Sequence, residues 1–195
     1  MLKVGITGGI GAGKSVVCRV FETLGIPVFN ADEMAKTLME TDSGLIAAIK
    51  RLFGDNIYTG GKLDRKELAA IVFEQPLLLE QLNEIIHPAT ISYGRKWMEE
   101  QNAPYTIKEA AIFFESGSDK EMDLMIGVFA PGELRIKRAM QRPGMTREKV
   151  LQRMASQMDD AEKMRRCDFV ITNNDIAALV PQVTSLHKIL LGKAG

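Results

Sequence analysis

The 195-residue sequence predicts an α/β fold, a parallel sheet of about five strands with helices on both faces. Three observations carry this expectation. Short apolar runs that read as buried strands alternate with stretches of helical periodicity. A glycine-rich turn joins the first of these strands to the first helix. Residues 42 to about 101 read as helical, which is too long for a simple crossover and suggests a lobe inserted into the α/β core.

Taken in order, residues 2–7 are a short buried strand, and glycines follow at 8, 9, 11 and 13. Apolar residues at 16, 17, 20, 21 and 24 then recur at helical spacing until Gly25 stops the helix. Ile26 to Phe29 form the second strand, and Asn30 or Asp32 can cap the next helix. The helical block breaks at Gly60-Gly61, Pro76 and His87-Pro88, and no strand is evident within it. Strands resume at Tyr105–Phe114 and Asp123–Ala130. A basic helix follows over Glu133–Gln141, broken by Pro143-Gly144, and Thr146 caps another from Arg147. A last strand, Asp168–Thr172, precedes a terminal helix over about 176–191. The expected organisation is one domain. Its core covers about 1–41, 104–132 and 167–195, its helical acceptor lobe about 42–103, and its lid about 133–166.

Composition narrows the function. With 25 Lys+Arg against 25 Asp+Glu, the chain lacks the basic excess of a general nucleic-acid binder or of a protein docking on anionic membranes. Two cysteines and two histidines are too few for a structural zinc site. No run approaches the length of a membrane span, and no signal peptide is evident, so the expected compartment is cytoplasmic. The chain is expected as a monomer or small homo-oligomer. Neutrality hides an asymmetry: residues 133–153 hold seven basic and two acidic side chains, and residues 99–123 hold two basic and seven acidic.

Gly8-Gly9-Ile10-Gly11-Ala12-Gly13-Lys14-Ser15 fits the P-loop pattern G-x-x-x-x-G-K-[ST], set between a strand and a helix. Backbone N–H groups can wrap phosphates only where Cβ atoms do not obstruct the turn. The following helix points its N-terminus at the anion. Lys14 can reach the β- and γ-phosphates, and the Ser15 hydroxyl can serve Mg²⁺. A loop spanning Gly8 to Val16 that binds ATP with Mg²⁺ is therefore expected, within a P-loop nucleoside-triphosphate hydrolase fold. A GTPase switch would show an Asn-Lys-x-Asp base reader, but Thr172-Asn173-Asn174-Asp175 lacks the lysine. A transport ATPase would carry Ser-Gly-Gly, which is absent. A small phosphotransferase fits better.

Within that class Asp32, just beyond strand two, is the candidate base, with helix capping as its alternative role. Glu115, ending the apolar run 110–114, could orient the magnesium shell or contact the acceptor, or merely cap the Ser116-Gly117 turn. Of the arginines at 135, 138, 142, 147 and 153, the first three fall at helical spacing and read as an anion clamp. Arg138 and Arg142 would neutralise charge on the transferring phosphoryl group. His87, before Pro88, reads as a packing residue at a helix end.

Together these residues resemble the dephospho-coenzyme A kinase family. The resemblance is carried by Thr7 to Ser15, Asn30-Ala31-Asp32, Gly61-Lys62-Leu63-Asp64-Arg65 and Leu82-Asn83-Glu84-Ile85-Ile86-His87-Pro88, then by Arg138, Arg142, Gln157 and Asp168 to Asn174. It implies ATP-dependent phosphorylation of the ribose 3′-hydroxyl of dephospho-coenzyme A, the last step of coenzyme A synthesis. It further implies Asp32 as base, Asn173 or Asn174 near the adenine, and Asp32, Arg65, His87 and Glu115 toward the acceptor. Two departures stand out. The family commonly has Asp-Ala-Asp where this chain has Asn30-Ala31-Asp32, and Pro-Leu-Leu where it has Ala111-Ile112-Phe113. The competing expectations are a P-loop kinase of another nucleotide or small metabolite, and a non-catalytic ATP-binding regulatory protein.

Overall fold

The computed structural model describes residues 1–195. Strand β1 (Leu2–Thr7) leads through the glycine loop into α1 (Lys14–Thr23), then β2 (Val28–Asn30), α2 (Ala31–Thr41) and α3 (Ser43–Phe53). Two short strands follow, β3 (Tyr58–Thr59) and β4 (Lys62–Leu63), then α4 (Arg65–Glu74) and the long α5 (Pro76–Glu99). Next come β5 (Tyr105–Glu109), α6 (Phe113–Ser116), β6 (Leu124–Phe129), α7 (Gly132–Met140) and α8 (Arg147–Ala155). The chain closes with α9 (Asp160–Arg165), β7 (Phe169–Thr172) and α10 (Leu179–Ala194). It divides into two units, residues 1–30 with 98–195, and residues 31–97.

The first unit holds the expected five-stranded sheet, in the order β2-β5-β1-β6-β7. Every neighbouring pair is parallel. Both faces of the central strands are covered, so consecutive residues are buried without alternation, Val4 to Thr7 in β1 and Tyr105 to Glu109 in β5. Helix α1 adds Val17, Cys18 and Phe21 from one stripe. Burying Phe21 completely contributes about 2–3 kcal/mol, and its ring meets Tyr105 edge-on at 6.4 Å between centroids. The Tyr105 hydroxyl in turn lies 2.6 Å from His187 Nδ1, joining α10 to β5. Gly25, at φ 80°, ends α1 as expected. The Thr146 side chain accepts from the Lys149 N–H and caps α8, also as expected.

Strand β5 is shorter than its apolar run predicts. It stops at Glu109, and Phe113–Ser116 is a helical turn. The Ala111 carbonyl is drawn out of the ladder direction by the Lys163 ammonium at 2.8 Å and by Thr7 Oγ1 at 3.4 Å. Glu115 therefore lies on α6, and Glu109 is the acid that ends the strand.

The second unit packs Leu38, Met39, Leu45, Ile49, Ile57, Leu63, Leu68, Leu82 and Ile86 into its own apolar cluster. Because α2 supplies two of these, the boundary expected near residue 42 falls at Ala31. Two further expectations are corrected here. The Gly60-Gly61 break is the turn of an antiparallel hairpin, with φ 60° and 79° as a two-residue hairpin turn requires. The predicted end at His87-Pro88 is absent, because α5 runs straight through Pro88. Proline in a helix interior costs about 3 kcal/mol. Here Leu82, Ile85, Ile86 and Ala89, on either side of the proline, pack on the same cluster and offset that cost.

Candidate active site

The strand registers align Ile6 and Asn30 with Glu109, Thr7 with Gly127, and Phe129 with Thr172. The carboxyl ends of all five strands thus share one sheet edge, where crevices in open parallel sheets bind ligands. The glycine loop leaves β1 at that edge. Its Gly9 carbonyl accepts from the Ala12 N–H at 3.1 Å. Gly11 (φ 77°) and Gly13 (φ 93°) hold backbone conformations that favour glycine. A Cβ would also strike the Arg135 carbonyl at Gly11 and the Asn173 amide at Gly13. The helix that follows begins at Lys14, with Ser15 and Val16 exposed on its first turn.

Lys14 folds back over the loop. Its Nζ donates to the Gly8 carbonyl at 3.0 Å and lies 3.9 Å from Glu109 Oε1, with the two side chains only 10% and 8% exposed. The other Glu109 oxygen accepts from Asn30 Nδ2 at 2.6 Å. Had this position been aspartate, two carboxylates would meet here. Asparagine supplies a donor instead, which keeps a second negative charge away from Glu109. Sequence reading missed Glu109. Its signal was the pair Lys108-Glu109, two charged residues closing a buried run. An ammonium, a strand-end carboxylate and a helix N-terminus together suit an anionic ligand that arrives with a cation. No cluster of three His, Cys, Asp or Glu side chains could hold a metal ion by itself. A hard cation here would share its ligands between the Ser15 hydroxyl, phosphate oxygens and water, which is how Mg²⁺ is normally held.

The expected arginine face is not one face. Helix α7 ends at Met140, so Arg142 sits in the turn beyond it and is exposed. Arg135 is 2% exposed and donates through Nε to the Ile10 carbonyl at 3.1 Å, while its guanidinium pairs with Asp160. Burial pulls its pKa down. Arg138 donates to the Asn173 carbonyl at 3.0 Å and to Asn173 Oδ1 at 3.3 Å, and pairs with Asp175. Asn173 completes the link by donating to the Ala12 carbonyl at 2.9 Å. Asn174 instead caps the following turn, accepting from Ile176 and Ala177 N–H. Arg147 forks onto Glu133 at 2.9 and 3.1 Å, joining α8 to α7, and Arg153 is exposed.

Glu115 turns its carboxylate toward α9, with its side chain 23% exposed. Burial opposes its charge, but the Met158 N–H at 2.8 Å and the fully buried Lys163 ammonium at 3.0 Å outweigh it, holding the carboxyl below its ordinary 4.5. A depressed carboxylate contributes stability that is present above the ordinary value and lost as pH falls through the folded one. Glu115→Gln should therefore flatten that part of the acid limb. At pH 7 it should cost about 3 kcal/mol, because the buried ammonium loses its counter-charge. Urea midpoints across pH 3–7 would check both, and parallel curves for the two proteins would refute the pairing.

Three further expected residues lie in the second unit. Asp32 is exposed in the first turn of α2 rather than capping it from outside. Arg65 opens α4 and donates to the Lys36 carbonyl at 2.8 Å and to Glu40 at 2.9 Å. His87 is half-buried on α5. Burial pushes its imidazole pKa down, and the Asp32 carboxylate pushes the other way.

Comparison with known proteins agrees with this chemistry. A family model described as dephospho-CoA kinase matches residues 2–178. A dephospho-CoA kinase of Bacteroides fragilis is 40% identical over 193 residues, covering 98% of this chain and 94% of the relative. One of Porphyromonas gingivalis is 41% identical over 187 residues, covering 95% and 93%. The solved structure of dephospho-CoA kinase from Campylobacter jejuni superposes with a TM-score of 0.71 at 29% identity, over 98% of both chains.

Proposed function

The chain belongs to the dephospho-CoA kinase family, and from that premise we propose how its residues divide the work. The enzyme is a phosphotransferase that uses ATP to phosphorylate dephospho-coenzyme A in coenzyme A synthesis. The carrying observation for the site is Lys14, held beside Glu109 at the carboxyl edge of the sheet by the glycine loop.

In this reading Gly8, Gly9, Gly11, Ala12, Gly13, Lys14, Ser15 and Val16 cradle the triphosphate through backbone N–H groups. Lys14 exchanges the Gly8 carbonyl for phosphate oxygens. Mg²⁺ would be held by Ser15 and the phosphates, where it would supply positive charge to offset that of the transferring group. Asp32 takes the proton of the ribose 3′-hydroxyl as that oxygen attacks the γ-phosphorus, and ADP leaves. Arg138 and Arg142 balance the charge spread over the transferring group, which requires Arg138 to exchange its present carboxylate partner for phosphate. Asn173 and Asn174 lie toward the adenine. Arg65, His87 and Glu115 lie toward the acceptor, His87 as a neutral imidazole and Glu115 through the fold of its loop. The reaction is read as cytoplasmic, and no helix is long and apolar enough to cross a membrane.

The test is incubation with ATP, Mg²⁺ and dephospho-coenzyme A. ADP and coenzyme A should appear together, in equal amounts. ADP formed only with another acceptor would move the assignment to that acceptor. Tight ATP binding with no acceptor-stimulated turnover would leave a regulatory ATP-binding protein.

A further inference from the structure

Neither Arg135 nor Gln157 is needed by the reaction just described, yet both grip a single residue of the glycine loop, one from the peptide before it and one from the peptide after. The Ile10 N–H donates to Gln157 Oε1 at 3.1 Å, and the Ile10 carbonyl accepts from Arg135 Nε at 3.1 Å. The guanidinium sits against Gly9, and the Arg135 carbonyl against Gly11, so closely that a Cβ at either glycine would clash. The Ile10 side chain packs with Ile136, Ala139 and Val150. Loop and helices α7–α9 are thus one packed body on this side.

The turn explains why this hold matters. Gly9 to Ala12 is closed by the Gly9 carbonyl and the Ala12 N–H. Gly11 has φ 77°, and Ile10 is not among the residues of positive φ, which identifies a type II turn. Type I and type II turns differ by rotating the central peptide through about 180°. Here that peptide is the Ile10 carbonyl with the Gly11 N–H. The two groups point in opposite directions across a trans peptide. Arg135, by holding the carbonyl, turns the Gly11 N–H to the opposite side. In the flipped state a carbonyl would replace that donor, and an N–H would face the guanidinium.

We propose that Arg135 and Gln157 are positioning residues for ATP: Gln157 holds the Gly9–Ile10 peptide by its N–H, Arg135 holds the Ile10–Gly11 peptide by its carbonyl, and together they fix the turn that presents the Gly11 N–H to the phosphates. The proposal rests on the reading of the loop as the ATP site. Neither side chain touches the nucleotide; both act through the turn. Arg135 is thereby taken out of the anion clamp that its spacing suggested.

The experiment is calorimetric titration of the full chain with ATP·Mg²⁺ and, separately, with dephospho-coenzyme A, for Gln157→Leu and Arg135→Met, with Lys14→Ala as control. Each of the first two should weaken ATP about tenfold, the scale of one lost hydrogen bond in a preorganised site. Dephospho-coenzyme A affinity should stay within about twofold of wild type. The KM for ATP should rise about tenfold while kcat changes by less than about threefold. The double variant should lose little more than either single one, since both hold one turn. ATP affinity within about twofold of wild type in Gln157→Leu overturns the proposal, and so does an equal loss for both ligands. Gln157, half-buried, decides the matter if Arg135→Met does not fold. If Lys14→Ala also leaves ATP binding intact, it is the loop assignment that fails; if only Lys14→Ala weakens it, the positioning role alone fails.

Discussion

Asp32→Asn should lower kcat by about 10²- to 10⁴-fold, the range that a positioned general base contributes. Its ATP affinity should remain within about threefold of wild type. The amide keeps the size of the carboxylate and removes only its ability to take a proton. Stability is not the confounder. Asp32 is exposed in the first turn of α2, where its charge favours the helix by at most about 1 kcal/mol. A second readout needs no turnover. The Asp32 carboxylate raises the His87 pKa against the effect of burial, so in Asp32→Asn the imidazole should titrate lower still. Proton NMR of His87 would show it. Turnover within about threefold of wild type would remove Asp32 from the role of base, whatever His87 does.

Lys14→Ala should cost about 10²- to 10³-fold in kcat, comparable to losing one preorganised donor at a charge that grows in the transition state. It should also weaken ATP binding, for a reason particular to this chain. Glu109 is nearly buried 3.9 Å from the ammonium, and without it a carboxylate held by Asn30 faces incoming phosphates. Adding Glu109→Gln to Lys14→Ala should therefore restore part of the ATP affinity, a coupling that a double-mutant cycle measures directly. Strict additivity of the two changes would show that Glu109 and Lys14 act independently.

What could be read from the sequence follows from the range of the forces involved. The glycine loop announces itself because its chemistry is local: tight turn, lysine and helix start lie within eight residues. Strand and helix order was legible for the same reason, through periodicity. Most of the misreadings come from contacts made at a distance. β5 ends at Glu109, although apolar residues continue to Phe114, because Lys163, fifty-two positions along the chain, takes the Ala111 carbonyl. α5 ignores Pro88 because the residues beside it are packed on the second unit's cluster. Two-residue strands such as β3 and β4 are too short to show any period, so only the glycine pair marked the hairpin. Arg135 and Arg138 share spacing but not surroundings. One is buried against the loop and the other is turned to Asn173. The glycine loop could be found from sequence; Glu109 and the two-sided hold on Ile10 could not.

The strand order also dictates when this protein can assemble during synthesis. β2 has one neighbour in the sheet, β5, while β1 pairs only with β5 and β6. No pairing in the main sheet is therefore possible until residues beyond 104 have left the ribosome. At translation rates of about 5–20 residues per second, β1 waits roughly 5–20 s for its first partner. Before that interval ends the apolar cluster of residues 31–97, which extends to Ala89, is complete in sequence and has shorter loops to close than β1 has. The helical unit should therefore form first on the nascent chain, and the nucleotide-binding sheet should close late and in one step. A stalled chain extended by an unrelated linker, so that residue 100 has just cleared the ribosome, would protect α3 and α5 from protease while leaving β1 and α1 open to cleavage.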